Sequence, residues 1–374
     1  MATPPLLKRL NEESVLETIR AGAPISRAQI SRRVGISKPT VSLALQSLLD
    51  AGLVREAPER PGGPHYGAVY FEAVDEAALV LGVDLGARFL RVALSDLSGR
   101  VRARQDVELP SADAELALDA IVELREALAR TAGLASGLID QVVVGVPGVV
   151  ERTDGAVRLA LNVEHLEGRR FGEDLEERLG VSVTVENDVN LAALGEGQLG
   201  VARGVNEFVF LSVGTGLGAG LVLRGELQRG HNGAAGELDY ARAGASEDFD
   251  PCAAALSRYA VEQGLAPSGD LRPVFAAARS GDERARAVVA EAGRRIARHV
   301  VPIAAVTDVG LVVLGGGIGA NAELLGHVRP LLAEWLPYPP RVEISSLGDA
   351  AVLMGAVALG LRPALHNAFR SRRG

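Results

Sequence analysis

The sequence predicts an α/β protein in two parts: a small helical head with a β wing, then a longer body of two similar α/β lobes. Three observations carry this prediction. The first 70 residues read as short, capped helices followed by two strand-like runs. Apolar runs broken by glycine turns recur about 125 residues apart, near 82–90 and 207–224, which suggests a duplicated lobe. Charge is also split, with nine Lys/Arg against six Asp/Glu in residues 1–70, a balance of +3, and a balance of −11 over the rest, for a net −8. A basic head on an acidic body suits a small nucleic-acid module joined to a soluble domain.

At 374 residues the chain is too long for one ordinary core. Its 48% hydrophobic content excludes a disordered chain. We expect the head over 1–72, a first lobe over 79–190 completed by a C-terminal helix at about 349–374, and a second lobe over 191–348. One cysteine, Cys252, excludes an intramolecular disulfide framework and a cysteine-rich metal site. The start, MATPPLLKRLNEES, lacks a signal-peptide core, and no uncharged apolar run approaches the ~20 residues that span a bilayer. A cytoplasmic protein without membrane contact is expected.

In the head, residues 11–21 place Val15, Leu16 and Ile19 on one face behind Asn11 as N-cap, and stop at Gly22. Ser26 with Gln29 fits a capping box, and the helix they open ends near Gly35. Ser37 caps a third helix, Pro39 sits in its first turn where no N–H is needed, and Gly52 closes it. There Val41, Leu45, Leu48 and Leu49 make the inward stripe, leaving Lys38, Thr40, Ser42 and Gln46 outside. Two short helices joined by a tight turn, the second small and polar outside, form the helix-turn-helix pattern. LVREA, the turn RPGG with Gly62 and Gly63, and YGAVYF read as a wing with Arg55 and Arg60 near its tip. The alternative is a three-helix bundle that binds protein.

In the body, LVLGVDLGARFLRVALSDLSGRV reads as strand, glycine turn, strand and a further strand, with Asp84 and Gly86 at the first turn. Asp84 there orients a metal-bound phosphate or simply caps the turn. A helix spans residues 113–131, and a buried strand at QVVVGVPGVV leads through an irregular connection to Asn162. VSVTVENDVNLAALGEG runs from strand into helix at Asn187 and Asp188. A carboxylate and an amide at that place hold hydroxyls, or Asp188 is an N-cap. Residues 207–224, EFVFLSVGTGLGAGLVLR, carry glycines at 214, 216, 218 and 220. Such density leaves backbone N–H groups free to converge on an anion, although a glycine-rich structural hairpin fits equally. Glu237 lies in an irregular loop, and a long helix at 282–305 is expected to bend or end near Pro302. His299 on that helix reads as a packed core histidine. Gly315, Gly316 and Gly317 follow a buried strand and permit close backbone approach by a nucleotide base or ribose.

The pieces GVDLGARF, VVGVPGVV, VENDVNLAALGE, LSVGTGLGAGLVLRGELQRG, AAGELDY, VVLGGGI and LGDAAVLMGA stand in one order along the chain. Together they resemble the ROK family of repressors, open reading frames and sugar kinases. The resemblance implies a two-lobed actin/hexokinase-like (ribonuclease H-like) body with sugar and ATP sites in the cleft. Plain ROK kinases lack a winged head, whereas ROK repressors carry one. By resemblance, Asp188 falls on the catalytic aspartate, and Asn162, Asn187, Asp188 and Glu237 on the sugar site. Asp84, Gly86, Gly214, Thr215, Gly216, Gly315 and Gly316 fall on the nucleotide site.

Three departures accompany the resemblance. The first phosphate loop, D-x-G-G-T in the family, reads Asp84-Leu85-Gly86-Ala87-Arg88. The histidine of the GE-x-GH motif is Tyr240. The C-x-C-G-x-x-G-C-x-E zinc segment is absent, leaving Cys252 alone. The expectation is therefore a DNA-binding regulator, a repressor of carbohydrate-related genes, with a vestigial catalytic base, no cofactor and no metal. Its partners would be an inverted-repeat operator in double-stranded DNA, read by a homodimer or tetramer, and a sugar or sugar-phosphate effector. Arg27, Ser37, Lys38, Pro39, Thr40, Ser42, Gln46, Arg55, Arg60, Gly62 and Gly63 would face the DNA. The alternatives are an active ATP-dependent sugar kinase and a regulator with no sugar ligand.

Overall fold

The computed structural model describes residues 4–57, 69–111, 113–160, 163–239, 249–266 and 268–371. The head contains α1 (Pro4–Gly22), β1 (Ile25–Ser26), α2 (Arg27–Val34), α3 (Lys38–Asp50), β2 (Val54–Ala57) and β3 (Tyr70–Ala73). Its three strands pair antiparallel in the order β1-β3-β2. Helix α1 begins seven residues before the expected Asn11. Pro4 and Pro5 fall in the first turn, where missing N–H groups cost nothing, and Arg9 pairs with Glu13 one turn on.

The first body sheet comprises β4 (Leu79–Leu85), β5 (Phe89–Asp96), β6 (Val101–Glu108), β7 (Ile139–Val146) and, after the β8 (Val149–Val150) and β9 (Val157–Arg158) ribbon, β10 (Val183–Asn187). Its order is β10-β7-β4-β5-β6. Helices α4 (Ala114–Ala132) and α5 (Phe171–Leu179) bury Ile121, Leu124, Phe171 and Leu175 against one face. Helix α6 (Asp188–Leu199) leaves the end of β10.

The second sheet contains β11 (Phe208–Val213), β12 (Leu217–Leu223) and β13 (Glu226–Leu227), followed by helices α7 (Ala253–Glu262), α8 (Arg272–Arg279) and α9 (Glu283–Thr307). Strand β14 (Leu311–Gly315), α10 (Gly316–Gly319), α11 (Leu325–Trp335) and β15 (Arg341–Ile344) complete it in the order β13-β12-β11-β14-β15. Helix α9 continues through Pro302 to Thr307, because its buried stripe extends to Ala304 and packing holds the last turns. It ends where Asp308 takes a left-handed conformation, φ 51°.

The last helix, α12 (Ala351–Ser371), ties the parts together. With the turn before it, Gly348–Ser371 is long and apolar enough by composition to cross a membrane. In this fold its apolar surface lies against β4, β7 and α6. The approach is close enough to need glycine: a Cβ at Gly355 would stand 1.8 Å from the Leu191 carbonyl, and one at Gly195 2.3 Å from the Ala351 carbonyl. At its far end Ala364 and Ala368 enter one buried cluster with Val15, Leu16 and Ile19 of α1 and Leu45 and Leu48 of α3.

Candidate DNA interface and effector cleft

The helix-turn-helix is α2 and α3, built by local hydrogen bonding. The Gln29 side chain accepts from the Ser26 N–H at 2.9 Å, and Gly35 closes α2 at φ 75°. Ser37 caps α3 by accepting from the Thr40 N–H at 3.3 Å, with Pro39 inside the first turn. Val41, Ala44, Leu45 and Leu48 are buried, and Leu49 is only partly so. Lys38, Pro39 and Gln46 are exposed, and Gln46 donates to Asp50 at 2.8 Å. Thr40 and Ser42 are half-buried and bonded locally, Ser42 donating to the Lys38 carbonyl at 2.9 Å.

Leu43 was not singled out by polarity, yet it is 72% exposed on this helix, where an apolar side chain suits a thymine methyl. Arg27 is exposed at the start of α2. Arg55 lies opposite Glu72 in the β2–β3 ladder and donates to it at 2.7 Å, so the base of the wing holds it rather than the tip. Arg60, Gly62 and Gly63 fall outside the described residues.

Head and body meet over the buried cluster shared by α1, α3 and α12, which also takes in Val80 and Leu97 of the first lobe. Arg20 donates to the Leu97 carbonyl across this joint. A cavity of about 400 Å³ opens there between Glu13 and Leu16 of α1, Thr184 of β10, and His366 and Phe369 of α12.

The cleft is organised at the junction of β10 and α6. Asn187, not Asp188, is the N-cap: its side-chain oxygen accepts from the Asn190 N–H at 2.9 Å, and its amide donates to the Gly148 carbonyl at 2.9 Å. Those bonds leave Asn187 one N–H and one lone pair for a ligand. Asp188 opens the helix and accepts from the Val189 N–H at 2.8 Å. Its carboxyl is pushed up to about 7, first by burial and then by the charges of Asp84 and Glu237. Glu237 is half-buried and raised by burial and by Asp239. Asn162 lies outside the described residues.

An ion pair spans the lobes here. Glu186, buried beside Asn187, accepts from Asn190 Nδ2 at 2.9 Å and from Arg229 on the second lobe. From the same loop, the Gly236 carbonyl accepts from the Ala219 N–H at 2.8 Å, which fixes Glu237 beside β12.

The two glycine turns keep their backbone shape but are filled from within. At the first, the Gly86 N–H donates to the Phe89 carbonyl at 2.9 Å. Asp84 receives Arg91 at 3.0 Å, and burial raises its carboxyl despite that cation. Arg88, standing where the family motif has threonine, turns out to Glu108 at 2.8 Å. At the second, the Gly214 N–H donates to the Gly216 carbonyl at 3.0 Å, and the Leu217 N–H donates to Asp239 at 3.1 Å. Thr215 is exposed at the tip.

Gly218 and Gly220 serve packing rather than anion binding, since a Cβ at Gly220 would lie 2.7 Å from the Val189 carbonyl on α6. Gly315 is dictated by Phe210, whose ring would stand 2.2 Å from a Cβ there, and Gly316 by its φ of 80°. A cavity of about 310 Å³ lies beside Gly214, Thr215, Phe275 and Gly317. Sequence reading passed over Arg91, Arg229 and Asp239. Only Asp239 left a signal, a carboxylate where the GE-x-GH motif has its second glycine.

Among the described residues, the side chains do not fit a structural zinc, since no group of three or more His, Cys, Asp or Glu could hold a metal ion. Cys252 is buried in the second-lobe core with Val209 and Leu256, and His299 donates to the Phe249 carbonyl at 2.8 Å. Nor do they fit magnesium on the Asp84 carboxylate, which Arg91 already neutralises.

Fold and cleft together define a winged helix-turn-helix protein on a sugar-kinase-like body. Residues 80–362 match the ROK family model, residues 9–55 match a winged helix-turn-helix DNA-binding model, and the chain belongs to the ROK family. It is 26% identical to the xylose repressor of Caldicellulosiruptor bescii, across 95% of this chain and 96% of that protein. Its fold matches the crystal structure of a ROK family transcriptional regulator, a homolog of the E. coli MLC protein, with TM-score 0.79, 23% identity and 98% of both chains covered. A ROK family glucokinase from Streptomyces griseus, in complex with glucose and AMPPNP, matches 76% of this chain and 100% of its own at TM-score 0.65 and 27% identity.

Proposed function

We propose that the protein is a DNA-binding transcriptional regulator, a repressor of carbohydrate-related genes, whose kinase-shaped body senses a sugar and transfers no phosphate. The observation that carries this is the course of α12. One end packs on α6, the helix that begins at Asp188, and the other is buried with α1 and α3 of the head. A ligand that shifts α6 therefore acts on the recognition helix through continuous packing, provided it binds the two states with different affinity.

Lys38, Thr40, Ser42, Leu43 and Gln46 enter the major groove, with Arg27 at a backbone phosphate. A dimer reads two half-sites about one or two helical turns apart. The effector lies among Asn162, Asn187, Asp188 and Glu237. Such a chain meets its operator in the cytoplasm.

The test is protection of an inverted repeat in the DNA around its own gene, with and without added sugars. Absence of any protected site refutes the reading.

The kinase reading has two observations in its favour. Asp188, with its carboxyl near 7, suits a general base, and the cavity beside Gly214 would take a nucleoside. Against it stand Arg88 turned outward and Asp84 held by Arg91. A coupled ADP-release assay over a hexose panel separates the two: turnover at ordinary kinase rates, ~1–100 s⁻¹, favours the kinase.

A further inference from the structure

We propose that Gln141 is the positioning residue through which the cleft sets the head: its buried amide ties β10, the strand that ends in Asn187, to Asn367 on α12, beside the residues that pack on α1 and α3. This rests on the reading of the cleft as the effector site. To the contact of α12 with α6 it adds a second, hydrogen-bonded link between cleft and head.

Gln141 is a polar residue in a strand that is otherwise largely apolar, and it is only 1% exposed. A bulge places it there. Leu79 of β4 pairs with Ile139 and Val80 with Gln141, so the ladder skips Asp140 and the side chains beyond are re-aimed. Every donor of the amide is used. Gln141 Nε2 donates to the Val142 carbonyl at 2.9 Å and to Thr184 Oγ1 on β10 at 3.0 Å. Gln141 Oε1 accepts from Asn367 Nδ2 at 3.1 Å, and the same Nδ2 donates to the Asp140 carbonyl at 3.0 Å.

The two ends of this chain of bonds lie where the proposed signal starts and where it arrives. Thr184 stands on β10 ahead of Glu186 and Asn187, which cap and brace the start of α6. Asn367 adjoins Ala368, which is buried with Ala364, Leu16, Ile19, Leu45 and Leu48 in the cluster joining body and head, and Val80 opposite Gln141 belongs to the same cluster. Apolar packing lets neighbouring elements slide, whereas hydrogen bonds fix distance and direction. If β10 moves with its ligand while α12 stays, a buried amide loses a partner, at about 1–3 kcal/mol. If α12 follows, the bonds survive. The cavity of about 400 Å³ lined by Gln141, Thr184, Asn367, Leu16 and Leu48 leaves the joint room for that movement.

The test uses the full-length chain with Gln141→Leu, Thr184→Val and the double variant. The Asp140 carbonyl still holds Asn367 when the Gln141 amide is gone. Amide hydrogen exchange at residues 364–371 is followed without any ligand. Thr184→Val is expected to speed it by at least about threefold in the wild-type background and to add nothing once Gln141 is Leu. No change on Thr184→Val, or the same acceleration in both backgrounds, overturns the proposal. Should Gln141→Leu not fold, the response of Thr184→Val alone decides.

A second arm measures affinity for the DNA flanking the chain's own gene, with and without D-glucose, D-mannose or D-xylose. An aldose that changes wild-type affinity about tenfold should change that of Gln141→Leu less than about twofold, while both proteins bind the aldose and the free DNA alike. A full response retained in Gln141→Leu overturns the proposal and leaves the effector reading standing. If the wild type answers to none of the three aldoses, the effector reading loses its support, and the exchange result alone decides the role of Gln141.

Discussion

The two glycine turns, between β4 and β5 and between β11 and β12, occupy equivalent places in the two lobes and have been closed by opposite means. In the first a cation, Arg91, reaches an acid that belongs to the turn's own strand. In the second an acid, Asp239, reaches in from a distant loop and takes a backbone N–H. Both turns are rich in glycine, and a charged side chain of the protein bonds beside each. Turn geometry is fixed by packing against the rest of the lobe, while the charge that meets a ligand can change with one side chain. The turns should also differ in what breaks them.

The largest effect is expected at the loop that delivers Asp239. Gly236 has φ 91°, and a Cβ there would stand 1.8 Å from the Ala219 carbonyl. Gly236→Ala should cost about 2–4 kcal/mol in urea denaturation. Gly86→Ala at the first turn, where a Cβ meets only the Phe89 carbonyl at 3.3 Å, should cost about 1 kcal/mol. Equal costs would remove the distinction between a turn closed by a distant loop and one closed within its own hairpin.

Next comes the ion pair of the first turn. Arg91→Leu leaves Asp84 buried without its cation and should destabilise by about 1–3 kcal/mol. Adding Asp84→Asn should return much of that loss, which a double-mutant cycle measures directly. Strict additivity would mean that Arg91 does not hold Asp84.

A further effect concerns pH. The folded carboxyl of Asp188 titrates at about 7, above its ordinary value of 3.8, so the folded protein binds the extra proton between those values. The stability this contributes is full below about pH 4 and is lost as pH rises through about 7. Asp188→Asn should flatten that decline, seen as a smaller drop in Tm from pH 5 to pH 8. An unchanged slope would place the titration elsewhere.

Much of the fold was legible because it is local. Ser26 with Gln29, Gly35, and Ser37 with Thr40 are bonds within a few residues, and the strands around both glycine turns follow from short apolar runs. Element ends were less legible. Packing carries α9 through Pro302, an effect not written in a short window, while α1 begins at Pro4, seven residues before Asn11. At the site, residue types at Asn187, Asp188 and Glu237 pointed to the cleft. Their roles did not, since only the three-dimensional pairing makes Asn187 the cap and gives its amide to Gly148. Arg91 lay unremarked because it reads as one more exposed strand residue until β5 is paired with β4. Glu186 and Arg229 are 43 residues apart and meet only across the lobes. Gly218 and Gly220 read as anion-binding glycines because density in sequence does not distinguish a ligand's approach from that of a helix.

The most direct test of a DNA-gripping head on a sensing body is footprinting of the full-length chain on the DNA flanking its own gene, beside the Lys38→Ala/Gln46→Ala variant. The account predicts a protected inverted repeat that the variant loses, while the variant's thermal stability stays close to wild type because both side chains are exposed on α3. Protection that persists unchanged in the variant, or no protected repeat with the wild type, would contradict it.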